Sequence, residues 1–486
     1  MHKKTILELR EDLLNNKISV EQLAIECQND LKQLNDKLNA INNYCDFQAL
    51  EVNDSLLSGI PYVMKDLVAT KDYLTTSSSM MLNDFVPQYN GTIYNNLSNE
   101  NAIMIAKSNL DEYGMGGTNL NSIHGMSCNP YDTNKGTGGS SGGSAAVVAA
   151  GCVPFALGTD TGDSVRKPAA YCGIYGYKPS WTVNSRYGVY PYGSSLDQPG
   201  VFARCVDDIA IVMEALNGPD PLDMSSLVHE KEYFYKNLKA NDKPLKIGYI
   251  KELIDSFDNE IVLNQFEELK EFLSSLGHNI IELHMSKDLL RCGRGVYHVI
   301  ANSEATSNLA NLTGIDFGLQ ILDKDVKQSI IASRNKGLSK YTKARLLIGA
   351  LSLKEANKEN YFEKGKKIRT LIINNFDKLF NEVDILIAPC ANSRAVDYKN
   401  NEVIPMSDDA NIIAENHLSL TNLIGACGIT IPTHMVDGYP YAMSFMAKPY
   451  HDQFLLNFAK EFENNLLENN YKNIISFYNK YAEEVK

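Results

Sequence analysis

Nothing in the 486-residue sequence stays apolar long enough to cross a bilayer as a helix, because the longest such stretch, Ala145 to Gly158, is interrupted by Gly and Pro. A membrane helix needs about 18 apolar residues. The opening residues, Met1-His-Lys-Lys-Thr-Ile-Leu-Glu-Leu-Arg10, have neither an apolar signal core nor the Arg/Ser-rich pattern of a transit peptide, so a cytoplasmic protein is expected. Cysteines are few and unpaired in pattern. The nine of them (Cys27, Cys45, Cys128, Cys152, Cys172, Cys205, Cys292, Cys390 and Cys427) lie singly with no C-x-x-C, which speaks for reduced thiols and against a disulfide framework or a zinc site. Positive charge is also short. A net charge of -13 argues against a broad nucleic-acid surface, which needs clustered Lys and Arg, so any RNA contact is expected to run through a partner. No Pro/Ser/Gly-rich linker and no internal repeat divides the chain.

With 44% hydrophobic and 22% charged residues, the chain has the composition of a soluble globular protein with ample core material. Two helices are expected to open it, each announced by a capping box, Thr5 with Glu8 and Ser19 with Gln22. Val20, Leu23, Ala24, Cys27, Leu31 and Leu34 then recur at helical spacing and define one buried stripe. Gly59-Ile-Pro-Tyr-Val-Met-Lys65-Asp66 reads as a buried strand that delivers its charged end to a site. Ala145 to Ala150 reads as a helix whose N-terminus faces the Gly/Ser-rich loop before it. Leu245–Ile250 and Val383–Ala388 are expected strands, with a mostly helical stretch from about 255 to 380 between them. A final strand near Gly428–Pro432 and an amphipathic helix finish the chain. Strands spread between helices along the whole length predict one large α/β domain, 1–486, with a core at about 55–210 and a C-terminal part at 383–486.

The chemistry lies in Thr137-Gly-Gly-Ser-Ser-Gly-Gly-Ser144 and Gly158-Thr-Asp-Thr-Gly-Asp-Ser164-Val-Arg166, which set Ser140 and Ser164 in glycine-flanked turns. Such turns let main-chain N–H groups converge on an anion, so a serine there is a nucleophile with its oxyanion hole built in. A Gly/Ser stretch is also the signature of a flexible loop, but this one is embedded between apolar segments. It fits neither G-x-x-x-x-G-K-[ST] nor G-x-G-x-x-G, which argues against a phosphate loop. Gly138-Gly-Ser140-Ser-Gly142 formally fits the nucleophile elbow of α/β hydrolases, yet the polar loop Asn129–Gly136 stands where the elbow needs an apolar strand. No histidine is placed as the base. The remaining base is lysine, whose reference pKa of about 10.4 must be lowered by burial, and Lys65 at the end of an apolar strand is positioned for that. A solvent-exposed Lys65, or one paired with Asp66, is the competing reading.

These two serine turns, together with Arg166-Lys-Pro-Ala-Ala-Tyr-Cys-Gly-Ile-Tyr-Gly-Tyr-Lys-Pro179, resemble the amidase signature family. Lys107–Thr118, Ser185–Gly188, Ser194–Gln198, Ser303–Leu309 and Arg345–Gly349 extend the match over the chain and resemble the family's glutaminase subunits of tRNA-dependent amidotransferases. The resemblance implies a mixed, twisted β-sheet flanked by helices. It implies Ser164 as acyl-forming nucleophile, Ser140 as relay serine on a cis peptide and Lys65 as base. The main-chain N–H groups of Thr161, Gly162, Asp163 and Ser164 would form the oxyanion hole, and Ser141 and Arg166 would brace the loops. For the substrate, glutamine, it implies Arg345 at the α-carboxylate and Glu415 at the α-amino group.

Further implications are a heterotrimer with B and C subunits, glutamyl-tRNA(Gln) bound through the B subunit, and ATP and magnesium used there, with no cofactor or metal in this chain. A stand-alone amidase for small amides, a non-catalytic scaffold and a Ser/His/Asp hydrolase are the alternatives. Two departures stand out from the family pattern, Gly162-Asp163 in place of Gly-Gly before the nucleophile and Gly314–Gln320 in place of a more basic and aromatic segment. Asp tolerates left-handed backbone, and its carboxylate is expected to turn away from the oxyanion, towards Arg166 or Lys167.

Overall fold

The computed structural model describes residues 4–48, 50–226, 230–398 and 409–468; the expected end of the C-terminal helix, 469–486, lies outside the described residues. Both capping boxes form. Thr5 N–H donates to Glu8 Oε2 at 2.7 Å while Glu8 N–H donates back to Thr5 Oγ1 at 3.3 Å, and Ser19 and Gln22 exchange the same pair at 3.1 Å each. They start α1 (Ile6–Leu14) and α2 (Val20–Leu38), and all six residues of the expected α2 stripe are buried.

Thirteen strands follow among the described residues: β1 (Ile41–Tyr44), β2 (Pro61–Lys65), β3 (Ile103–Ser108), β4 (Cys128–Asn129), β5 (Asp132–Gly136), β6 (Phe155–Asp160), β7 (Tyr175–Lys178), β8 (Gln198–Ala203), β9 (Lys246–Ile250), β10 (Asn279–Leu283), β11 (Ile385–Pro389), β12 (Cys427–Val436) and β13 (Tyr439–Ala447). Eleven make one sheet in the order β1-β3-β2-β6-β8-β7-β12-β13-β11-β9-β10, and β4 and β5 pair separately. The sheet is mixed: β3, β2 and β6 run parallel, as do β11, β9 and β10, with antiparallel pairs between and at the β1 edge. Strands β2, β3, β6, β7, β8 and β11 are buried at every residue, as expected for a sheet covered on both faces.

The remaining helices are α3 (Thr92–Asn99), α4 (Gly142–Ala149), α5 (Arg166–Tyr171), α6 (Val206–Leu216), α7 (Lys251–Ile254), α8 (Glu260–Ser275), α9 (Lys287–Asn308), α10 (Val326–Gly337), α11 (Lys340–Leu353), α12 (Glu355–Lys358), α13 (Lys364–Glu382), α14 (Asp409–Asn416), α15 (Leu418–Leu423) and α16 (Asp452–Glu468). Among the described residues, none is long and apolar enough to cross a membrane. Helix α4 is buried on all sides, which its Gly/Ala/Val composition permits.

The mostly helical stretch 255–380 also contains β10, which extends the sheet edge beside β9. Two expectations are corrected. The single final strand is a hairpin, β12 and β13, turned at Asp437-Gly438 with φ of 53° and 81°, and such an Asp-Gly pair supplies the left-handed residues a tight hairpin needs. The polar loop at 129–136 is folded into the small ribbon of β4 and β5.

Candidate active site

Parallel β2 and β6 point their carboxyl ends to the same edge of the sheet, the side on which open α/β sheets form their sites. Strand β2 ends at Lys65, and β6 ends at Asp160, from which the chain turns through Thr161–Ser164 into α5. The loop carrying Ser140 and Ser141 runs into α4 on the same side, and the Gly139–Ser140 peptide is cis.

Lys65 is fully buried, and its Nζ donates to Ser140 Oγ at 2.7 Å, Ser141 Oγ at 2.8 Å and Thr159 Oγ1 at 2.9 Å. Burial pulls the amine down to about 7, against the opposing pull of Asp111, Asp160 and Asp197. Asp66 is not its partner. That carboxylate accepts from Thr76 Oγ1 at 2.5 Å and Asn42 Nδ2 at 2.9 Å instead. Ser141 Oγ donates to Thr159 O at 3.1 Å and accepts Thr159 N–H at 3.2 Å, so its hydroxyl is tied to β6 while it receives Lys65.

Ser164 is 3% exposed, and among the described residues no hydrogen bond ties down its hydroxyl, Ser140 included. The main-chain N–H groups of Gly162, Asp163 and Ser164 likewise donate to no described residue. The turn that presents them is held from beneath. Asp160 accepts Val165 N–H at 3.0 Å and takes Arg166 in a fork, Nε at 3.1 Å and Nη2 at 3.0 Å. Burial alone would raise that carboxyl, but Arg166 outweighs it and holds the group below the usual range. Arg166 also donates to Gly162 O at 2.8 Å and Leu418 O at 2.8 Å, joining the turn to α15. Thr161 is fixed by Asp197, which accepts its hydroxyl at 2.6 Å.

Above the turn lies a cavity of about 250 Å³, lined by the Gly116–Thr118 loop, Gly162 and Asp163, Lys167 and Tyr171 of α5, Arg294, Tyr297 and His298 of α9, Arg345 of α11 and Glu415 of α14. Arg345 therefore reaches the cavity from a helix far away in sequence. Its guanidinium donates to the hydroxyls of Tyr192 at 2.6 Å and Tyr341 at 2.5 Å and has no carboxylate partner among the described residues. Glu415 also reaches the cavity, but its Oε2 is engaged by Lys167 Nζ at 3.0 Å. His298 is pushed down to about 3 by burial beside Arg345 and Arg294, so it stands as a neutral ring.

Asp163 turns to Lys167 at 3.7 Å and not to Arg166, which Asp160 occupies. Asp163 is among the residues that line the cavity, and its side chain is 24% exposed. Burial pushes it up to about 6, opposed by Lys167. Arg294, Tyr297 and His298 are cavity features that sequence reasoning did not select, nor did it select Tyr192, which holds Arg345. Lys167 is expected from the sequence only as a neighbour of Asp163, the cation four residues beyond it, and not as a partner of Glu415. Among the described residues no three His, Cys, Asp or Glu side chains cluster as a metal site requires.

The amidase family matches residues 24–456 of the chain. The glutamyl-tRNA(Gln) amidotransferase A subunit of Staphylococcus haemolyticus is 36% identical over 473 residues, covering 95% of this chain and 96% of the relative. The protein of the same name from Caldanaerobacter subterraneus is 35% identical over 477 residues, with the same coverage of 95% and 96%. Among solved structures, the glutamyl-tRNA(Gln) amidotransferase A subunit of Thermotoga maritima aligns with a TM-score of 0.78 at 28% identity, covering 96% of this chain and 95% of that one. A bacterial aryl acylamidase of the amidase signature family aligns at 0.81 with 22% identity over 97% and 98% of the two chains, a likeness of fold.

Proposed function

The chain belongs to the amidase signature family, and from that premise we propose that it is the glutaminase subunit of a glutamyl-tRNA(Gln) amidotransferase. It hydrolyses the side-chain amide of glutamine and supplies ammonia for the conversion of glutamyl-tRNA(Gln) to glutaminyl-tRNA(Gln). The observation that carries the catalytic reading is Lys65, fully buried and bonded to the relay serine at 2.7 Å. An amine lowered to about 7 is about half neutral at physiological pH, which is the poise a general base needs.

In the reaction, Ser164 Oγ attacks the carboxamide carbon as its proton passes to Ser140, whose own proton passes to neutral Lys65. The relay closes when the Ser164 hydroxyl, free of other partners, turns to Ser140. Charge developing on the carbonyl oxygen is met by the main-chain N–H groups of Thr161 to Ser164, each such donor being worth about 3 kcal/mol in the transition state. Return of the proton through Ser140 releases ammonia and leaves a glutamyl ester on Ser164. Water, deprotonated by the same relay, then hydrolyses that ester. Arg345, held in a tyrosine frame with no carboxylate of its own, is suited to grip the substrate carboxylate. Glu415 faces the substrate's ammonium.

Partner B and C subunits complete the assembly. The B subunit binds glutamyl-tRNA(Gln) and uses ATP and magnesium there, so this chain needs no cofactor of its own, and the assembly works in the cytoplasm. The test is ammonia release from glutamine by the purified chain, alone and with B and C subunits, ATP and glutamyl-tRNA(Gln). A sharp rise with the full set supports the coupled subunit. Equal release by the chain alone, or preference for simple amides, would make it a stand-alone amidase.

A further inference from the structure

A negative charge beside the nucleophile is a problem this site must solve. Asp163 precedes Ser164, belongs to the turn assigned to the oxyanion, lines the cavity and keeps its side chain 24% exposed. An anion there opposes the negative charge that grows on the substrate oxygen. Among the described residues its only ion-pair partner is Lys167, at 3.7 Å, longer than a charge-assisted hydrogen bond of about 2.8 Å. The closer contacts of Lys167 are both to Glu415, its Oε2 at 3.0 Å and its main-chain O at 3.0 Å. Lys167 thus spans the oxyanion turn and α14, nearer to the carboxylate of Glu415 than to that of Asp163.

We propose that Lys167 is a positioning residue that shifts from Glu415 to Asp163 when a substrate ammonium binds, so that the amino group of the correct substrate switches on the oxyanion hole. This rests on the reading of glutamine as substrate. An arriving ammonium competes for the Glu415 carboxylate and repels the lysine. The bond to Glu415 O remains as a tether, and a movement of about 1 Å closes the distance to Asp163. Arg166 cannot substitute, because Asp160 and three oxygens of Gly162, Leu418 and Asn422 already use its donors. Arg294 and Arg345 sit on α9 and α11 and are not paired with Asp163. The α-amino group then contributes to turnover and not only to affinity.

Glutaramate, which is glutamine without its α-amino group, is the probe. With the chain assembled with its B and C subunits, kcat for glutamine is expected to exceed kcat for glutaramate by at least about tenfold, within the range that one misplaced oxyanion charge commands. Lys167→Met should bring the ratio to within about threefold of one by lowering the glutamine value, and Lys167→Arg should restore most of it. Asp163→Asn, isosteric and uncharged, should also collapse the ratio, but by raising the glutaramate value. In the double variant the glutamine kcat should recover at least about fivefold over Lys167→Met. The proposal is overturned if Asp163→Asn leaves the ratio at its parental value, if Lys167→Met slows both substrates equally, or if the double variant is no faster than Lys167→Met. Failure of the glutaminase reading looks different: the parent assembly then releases no ammonia from glutamine while still cleaving simple amides, which overturns this proposal with it.

Discussion

Replacing Lys65 by Met should remove activity and at the same time relieve a cost in stability that depends on pH. The amine is fully buried and lowered from 10.5 to about 7. At 1.36 kcal/mol per unit, that shift is a penalty of about 5 kcal/mol for keeping it in the folded state at low pH. Because the folded pKa is below the unfolded one, the unfolded chain binds the extra proton between pH 7 and 10.5, so stability rises with pH across that window. From pH 7 to pH 9 the gain attributable to Lys65 is about 2 kcal/mol, the first half-unit being blunted because the folded amine is still half protonated. Denaturant unfolding of parent and Lys65→Met protein at the two pH values isolates it, since other groups cancel in the double difference. Met loses the three hydroxyl contacts, but an apolar side chain of similar length leaves no buried charge, so the variant should fold at pH 7. Ammonia release should fall by at least about 10³-fold, near the upper range for loss of a general base. In the parent, release should increase as pH rises through about 7, where the lysine becomes neutral. A variant that keeps near-parental release, or a stability difference that is the same at pH 7 and pH 9, would refute the assignment.

Ser164→Ala should abolish glutamine-dependent ammonia release by at least about 10³-fold, yet shift unfolding by no more than about 0.5 kcal/mol, because no described residue bonds its hydroxyl; unchanged glutamine-dependent amidation in the assembly would identify a non-catalytic scaffold. Arg345→Lys should raise KM for glutamine by about tenfold or more with a smaller effect on kcat, since a lysine cannot fill the fork held by Tyr192 and Tyr341; steady-state kinetics with an unaltered KM would remove Arg345 from the substrate site. Gly349→Ala would put a methyl 1.9 Å from Asn302 O, so α9 and α11 must separate. A loss of about 1–3 kcal/mol in chemical denaturation is expected, with a raised KM because Arg345 lies one turn away on α11, and parental values for both would show that the two helices have slack.

How much of this was legible in sequence follows from how each feature is built. Lys65, Ser140, Ser141 and Ser164 stand on segments whose local pattern declares their geometry: an apolar strand with a charged end, and glycine turns leading into short helices. Each is positioned by its own element, so reading the elements was nearly enough. Strand β10 was missed because its exposed and half-buried residues lack an apolar run, and β13 because one apolar strand before Asp437-Gly438 already satisfied the pattern. The cavity roof is of another kind. Arg345 depends on Tyr192, 153 residues away, and Lys167 on Glu415, 248 residues away, and no periodicity within a helix encodes a partner at that distance.

The same distinction explains why the two halves of the site should differ in what mutation does to them. The half proposed as catalytic is anchored by the Arg166–Asp160 fork, with both side chains fully buried, and among the described residues the Ser164 hydroxyl and the N–H groups of Gly162, Asp163 and Ser164 have no hydrogen-bond partner. Its substitutions should change chemistry with little change in fold. In the substrate half, Glu415 and Asp163 are paired to Lys167, while Arg345 is held by two tyrosine hydroxyls and has no carboxylate partner among the described residues. On the proposed exchange of Lys167 from Glu415 to Asp163, a ligand ammonium displaces an internal partner, and that displacement gives the cavity a means to sense which amide has arrived.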